Sequence, residues 1–219
     1  MKLIISAALL LAAVSTAQAA SSYQFRIFQK GLQPVVVASP ASSTIWSSAQ
    51  RGMTINADSL SVKANGDTSQ ANWATVQGNT AHSTGKWYWE TTFNSAANAW
   101  WLGIETALPT AANTTVGEQT GAYSFAGYVA RLESAGTTYA EGLGYPPAGA
   151  TIGVAVDLDG GNISFSVNCT YLSKSMPIAK GLPYYPGLSL PVANLGSGTA
   201  NFGASAFKCP VPAGYTASW

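Results

Sequence analysis

The chain has 219 residues and one histidine, His82, and hydrolysis through a serine or cysteine nucleophile normally draws on such a base. His82 falls in the Gly78 to Gly85 loop between two expected strands, and no Gly-x-Ser-x-Gly elbow accompanies it. A single titratable group without a partner is not a catalytic site, so His82 reads as a solvated loop residue. Glycoside hydrolysis needs two carboxylates about 5 to 10 Å apart across a cleft. Glu90, Glu105, Asp157 and Asp159 are the candidates, all expected on outward strand faces. Glu90 and Glu105 could approach each other if their strands are neighbours, but no Glu-x-Asp-x-x-Glu cluster lies on one strand. Asp157-Leu158-Asp159-Gly160 starts like a calcium loop, yet Gly161 and Asn168 stand where further oxygen ligands belong. Gly142-Leu143-Gly144 fails as a dinucleotide fingerprint because Pro147 occupies the place of the third glycine. The expectation is a protein without catalytic residues, metal or cofactor.

Aromatic side chains are the remaining chemistry, since Tyr and Trp offer a flat apolar face and a polar tip at little entropy cost. Trp101, Tyr123, Phe125, Tyr128 and Tyr145 are the candidate contacts, with Arg131 to orient a polar ligand or to pair with Glu133. Tyr139 shares their span. All but Trp101 fall between Gly117 and Pro147, expected to be an irregular stretch whose loops gather at one end of the fold.

Composition narrows the ligand class. Charged residues make up 9% of the chain, against about 25% in ordinary soluble proteins, which disfavours coiled coils and disordered tails. Ten Lys and Arg face nine Asp and Glu, so no surplus of positive charge exists to hold nucleic acid or an acidic membrane surface. Met1 and Lys2, the apolar run Leu3 to Val14 and the small residues Ala17-Gln18-Ala19 have the form of a signal peptide, with cleavage expected between Ala19 and Ala20. The apolar run is too short for a bilayer of about 30 Å. The expected organisation is a signal peptide over 1–19, an N-terminal segment over 20–50 and one domain over 51–219. Export also makes a disulfide between Cys169 and Cys209 the expected state of the two cysteines. Closing a loop of 40 residues gives about 4 kcal/mol by chain entropy.

Strands must position these groups. Along Gly85 to Phe93, Trp87, Trp89 and Phe93 alternate with Tyr88 and Glu90. Trp100, Leu102 and Ile104 alternate with Trp101, Gly103 and Glu105, so one of the adjacent tryptophans points away from the core, and Glu105 assigns that role to Trp101. Ile152, Val154, Val156 and Leu158 face inward on one arm of a hairpin, and Ile163, Phe165 and Val167 on the other, with Gly160-Gly161 as a two-residue turn. Weaker strands are expected at Ser59 to Ala64, Trp73 to Gln77, Leu188 to Pro191 and Thr199 to Phe202. No amphipathic helix appears, so the class is all-β, an antiparallel sandwich. Tyr23, Phe25 and Ile27 alternate within the N-terminal segment and suit an edge strand or a strand that docks on another copy.

Gly85-Lys86-Trp87-Tyr88-Trp89-Glu90, Trp101-Leu102-Gly103-Ile104, Ile152 to Asp159, Ile163 to Asn168, Tyr185-Pro186-Gly187-Leu188-Ser189-Leu190 and Asn201-Phe202-Gly203 follow one another in an order that resembles the SPRY domain family. The resemblance spans about Arg51 to Tyr215. It implies a concanavalin-like jelly roll of two curved antiparallel sheets, used as a non-catalytic recognition module for a protein or glycan. Asn168-Cys169 stands where the family commonly shows Asn-Gly, and Cys209-Pro210 where an aromatic often precedes the closing proline. Both departures strengthen the expected disulfide. The signal peptide makes the chain similar to bacterial and phage-like members that stand alone or sit on fibres.

Overall fold

In the computed structural model the described residues are 42–69, 72–94 and 99–219. The signal peptide with Ala19 and Ala20, and the alternating Tyr23, Phe25 and Ile27, lie outside them. Fifteen strands follow in chain order among the described residues. They are β1 (Trp46–Ala49), β2 (Met53–Ile55), β3 (Ser61–Ala64), β4 (Trp73–Gly78), β5 (Lys86–Phe93), β6 (Trp101–Glu105), β7 (Ala122–Ala126) and β8 (Arg131–Ser134). Then come β9 (Thr137–Ala140), β10 (Thr151–Asp157), β11 (Asn162–Val167), β12 (Thr170–Tyr171), β13 (Met176–Pro177), β14 (Tyr185–Pro191) and β15 (Ser197–Asn201). The sole helical element among them is a 3₁₀ turn at Val192–Asn194.

The strands form two antiparallel sheets. Sheet A runs β1-β4-β14-β6-β7-β8-β9, and sheet B runs β12-β11-β10-β5-β15-β3-β2 with β13 beside β11. Their inner faces meet in one core. Sheet A contributes Val76, Leu102, Ile104, Phe125, Leu132 and Leu188, and sheet B contributes Trp89, Phe93, Val154, Ile163 and Phe165, all buried. Trp46 packs edge-on against Trp89 and Phe202, with ring centroids 6.1 and 5.0 Å apart. Trp46–Ala49, which the sequence places in the N-terminal segment, is thus an integral strand of sheet A, paired with β4.

The expected strands form with their ends moved by one to three residues, and the irregular span after Gly117 proves to hold β7, β8 and β9. Their burial explains why the pattern was weak: Ala122, Ser124 and Ala126 face outward yet are buried, so no charged or large polar residue marks the period. The β10–β11 turn is also longer than expected. Asp157 pairs with Asn162, leaving a four-residue loop closed by Gly161 N–H donating to Asp157 O at 2.7 Å. In that loop Gly161 takes the left-handed conformation (φ 75°) that glycine adopts at no steric cost.

Both outer faces are covered by the chain itself. On sheet B the segment Phe207 to Tyr215 lies over Tyr88 and Ala155. Glu90, only 2% exposed, holds it there by accepting from the backbone N–H of Lys208 at 2.9 Å and of Cys209 at 2.8 Å, and from the Tyr88 hydroxyl at 2.9 Å. Burial first, and the Glu90 carboxylate second, push the Tyr88 phenol up from its ordinary value. Cys209 forms the expected disulfide with Cys169, on the β11–β12 turn. Downstream, Thr216 runs parallel to β5 beside Trp87, and the Trp219 indole donates to Thr80 O at 3.0 Å. His82 stacks on Trp87 at 3.7 Å and meets Trp219 edge-on. It is half-buried instead of solvated, and loss of solvent lowers its imidazole to about 4.

Because the disulfide and Glu90 hold the same segment, reducing Cys169–Cys209 is expected to lower stability by about 2 to 4 kcal/mol without unfolding sheet A. Urea melts with and without reductant measure the loss, and amide exchange should rise first between Phe207 and Tyr215.

Candidate ligand-binding surface

On the outer face of sheet A the alternation sets Trp73, Thr75 and Gln77 of β4 opposite Pro191, Ser189 and Gly187 of β14, and Ser189, Gly187 and Tyr185 of β14 opposite Trp101, Gly103 and Glu105 of β6. The segment Thr106 to Gly121 crosses this face. Its anchors are Val116 N–H donating to Ser189 Oγ at 2.9 Å, Thr75 Oγ1 donating to Thr114 O at 3.1 Å and Gln50 Nε2 donating to Pro109 O at 2.6 Å. Close approach of the segment depends on Gly187, where a Cβ would lie 2.8 Å from Val116 Cγ2. Glu105 is closed in completely beneath the segment, at 0% exposure. It accepts from Gln77 Nε2 at 3.3 Å and Gln119 Nε2 at 3.4 Å, long contacts to neutral donors. Burial therefore outweighs these bonds and pushes the carboxyl well above its ordinary 4.5.

Trp101 points away from the inter-sheet core, as its alternation with Trp100 requires, but it is not a surface residue. It is 4% exposed, packed with Trp73, Val116, Ala126 and Val129. The cover that buries it comes from distant segments that strand periodicity does not register. Its indole N–H donates to Glu133 Oε2 at 2.8 Å, and Glu133 Oε1 accepts from Arg131 at 3.1 Å. Arg131 and Glu133 thus do pair. Trp73 meets the Trp101 ring edge-on at 4.4 Å, and Tyr128 leans on both, 5.0 Å from Trp101 and 6.1 Å from Trp73.

Tyr128 is the most exposed part of this cluster, at 45% exposure. It sits in the turn between β7 and β8, where Gly127 N–H donates to Trp100 O at 2.9 Å and Ala130 O accepts from Leu143 N–H at 3.1 Å. The second bond brings the loop Glu141 to Ala150 alongside, and that loop carries Tyr145, 71% exposed. Tyr128, Tyr145 and Arg131 therefore belong to one end of the sandwich, over a floor of Trp101 and Trp73.

Two expected contacts are elsewhere. Phe125 is fully buried in the core against Trp100 and Phe165, because its β7 position faces inward. Tyr123 lies at the opposite end of β7, half-buried against Tyr184, with its hydroxyl accepting from Ala179 N–H at 3.1 Å. Trp73 was legible only as the start of a strand, and nothing in its local pattern placed it beside Trp101. Glu90 and Glu105 do not meet either. Glu90 lies on the outer face of sheet B and Glu105 on that of sheet A, so the two cannot flank one glycosidic bond. Among the described residues no group of three His, Cys, Asp or Glu is arranged to hold a metal ion, and no helix is long and apolar enough to cross a membrane.

This architecture recurs in solved structures. The SPRY domain of human HERC1 is 12% identical, covers 70% of this chain and 93% of its own, and superposes with a TM-score of 0.57. The TRIM65 PSpry domain is 15% identical over 72% of this chain and 88% of its own, with a TM-score of 0.58. A further human SPRY domain is 12% identical, covering 73% of this chain and 100% of its own, at 0.54. The sequence model of the SPRY domain matches residues 86–204, more than half of the chain. The chain belongs to the SPRY domain family. Members of this family are generally protein-interaction modules without catalytic activity. No curated protein sequence matches this SPRY chain.

The buried carboxyl of Glu105 yields a pH signature. Folding raises its proton affinity, so its contribution to stability is fully present below about 4.5 and is lost as pH rises toward its higher folded value. Glu105→Gln should remove that slope, so that urea melts of wild type fall relative to the variant above pH 4.5. Parallel curves would mean that Glu105 ionises in the fold as it does in the unfolded chain.

Proposed function

We propose that this SPRY domain is an exported, non-catalytic recognition module that takes a protein or glycan on the loops at the Tyr128 end, as part of a surface fibre or adhesive assembly. One observation carries the reading: Tyr128 is held half-exposed against the Trp73 and Trp101 rings, in a turn bonded through Ala130 to Leu143 of the loop that carries the exposed Tyr145. An aromatic anchor whose orientation is set before binding loses little entropy when a ligand arrives. The Arg131–Glu133 pair adds polar groups at the rim of the same surface. Export is supported by the signal-type start of the sequence and by the Cys169–Cys209 disulfide, which suits an oxidising compartment. The low charge content suits a contact that depends little on salt.

Ligand capture on a glycan array and against candidate surface proteins tests this, with product analysis for turnover. Tyr128→Ala and Tyr145→Ala should abolish capture while leaving the melting temperature within a few degrees. Trp101→Ala is unsuited as a probe, because truncating a buried tryptophan costs about 3 to 5 kcal/mol. Capture unchanged in both tyrosine variants would remove this surface from the site.

A second reading has its own support. Strand β9 ends sheet A with three of its four residues exposed, and an open edge is a template for an added strand. Tyr23, Phe25 and Ile27 from a neighbouring copy suit that role, making the protein a structural subunit. Light scattering of the exported chain against one beginning at Ser42 separates the readings: association is expected only in the longer chain, and two monomers at high concentration exclude assembly.

A further inference from the structure

The covering segment of sheet B leaves a second concavity that the aromatic surface does not include. Between its edge and the open part of the sheet lies a groove of about 340 Å³. Glu90, Thr92 and Thr199 form the floor, Ser205 and Lys208 one wall, and Leu60 part of the other. Asn201 braces the first wall by donating to the carbonyls of Ser205 and Ala206 at 3.2 and 3.1 Å.

Lys208 is the distinctive group. Its backbone N–H is fixed on Glu90 and its neighbour Cys209 is fixed by the disulfide. Its ammonium donates to Thr92 Oγ1 at 3.1 Å and Thr151 Oγ1 at 3.4 Å, and those two hydroxyls bond each other at 2.9 Å. Among the described residues no carboxylate lies within ion-pair distance of it. The Glu90 carboxylate beneath is already used by three protein donors. A cation is thus held in place over hydroxyls, with one ammonium N–H and its charge left for a ligand.

The lining chooses among anions. Among the described residues no aromatic ring lines the groove, so a nucleobase would have nothing there to stack on. The floor strands β5 and β15 are paired on both sides, β5 by β10 and β15, and β15 by β5 and β3, so an extended peptide finds no free ladder. Serine and threonine hydroxyls beside small apolar patches at Leu60 and Ala206 match a ring that alternates hydroxyls with C–H faces. We propose that this groove binds an acidic saccharide, with the sugar carboxylate on Lys208 Nζ and the ring hydroxyls on Thr92, Thr199 and Ser205. The site is separate from the Tyr128 surface.

Titration calorimetry of the chain with its disulfide formed tests the assignment, using a uronic acid trisaccharide, the same trisaccharide with its carboxyls reduced to alcohols, and inorganic phosphate. The uronate should bind saturably, about tenfold or more tighter than either comparison ligand. Lys208→Met, which keeps the exposed stem, should weaken it by a similar factor without shifting the melting temperature. Ser205→Tyr, which fills the groove from its rim, should abolish binding, and Tyr128→Ala should leave it unchanged, so failure here is distinguishable from failure of the loop reading. No uronate binding, equal binding of the reduced sugar, equal binding of phosphate, or full binding by Lys208→Met would each overturn the proposal.

Discussion

A carboxylate removed from water must find donors within the protein, since an unpaired buried charge is among the costliest features a fold can carry. Glu90 meets that requirement with the N–H groups of Lys208 and Cys209, more than a hundred residues away, and with the Tyr88 hydroxyl. This one set of bonds brings the C-terminal segment onto sheet B. It places Cys209 against Cys169, seats Phe207 on Tyr88 at 5.1 Å, leads Thr216 beside β5 and Trp219 onto His82. It also sets the wall of the Lys208 groove.

Sheet A solves the same problem differently. Glu105 occupies the equivalent outward place on its strand, but Gln77 of β4 and Gln119 of the segment above it supply only two amide groups, at 3.3 and 3.4 Å. The carboxyl there retains its proton more tightly than in water. These two enclosed acids are therefore met differently, one by backbone N–H groups and one by weak neutral contacts. Both mark the line where a loop closes over a sheet. The proposed recognition surface grows from the second closure, because the cover that hides Trp101 leaves Tyr128 projecting over it.

Much of the architecture was legible. Trp89 and Phe93 alternate against Tyr88 and Glu90, and Ile152 to Val167 alternate across a turn, because a half-buried strand demands a period of two. Trp101 was rightly turned from the inter-sheet core, and Cys169 with Cys209 was rightly paired. The errors share one cause. Trp101, Glu90 and Glu105 were taken as exposed because period two separates the two faces of a strand but does not say whether the outer face meets water. Phe125 and Tyr123 were placed among loops because small buried residues around them, Ala122, Ser124 and Ala126, erased the polar half of the pattern.

The sequence by itself determined the strands that carry the ordered motifs, the family, the disulfide and the absence of a charge surplus, but not β1 or β7 to β9. All of these rest on local spacing, residue type or ordered motifs along the chain. Tertiary structure alone decided that Tyr128 stands on Trp73 and Trp101, that Glu105 is sealed and that Lys208 faces a hydroxyl-lined groove. Each of those depends on segments 14 to 118 residues apart meeting over a sheet face, and such meetings are set by packing and by the satisfaction of buried polar groups, which leave no periodic mark on the chain.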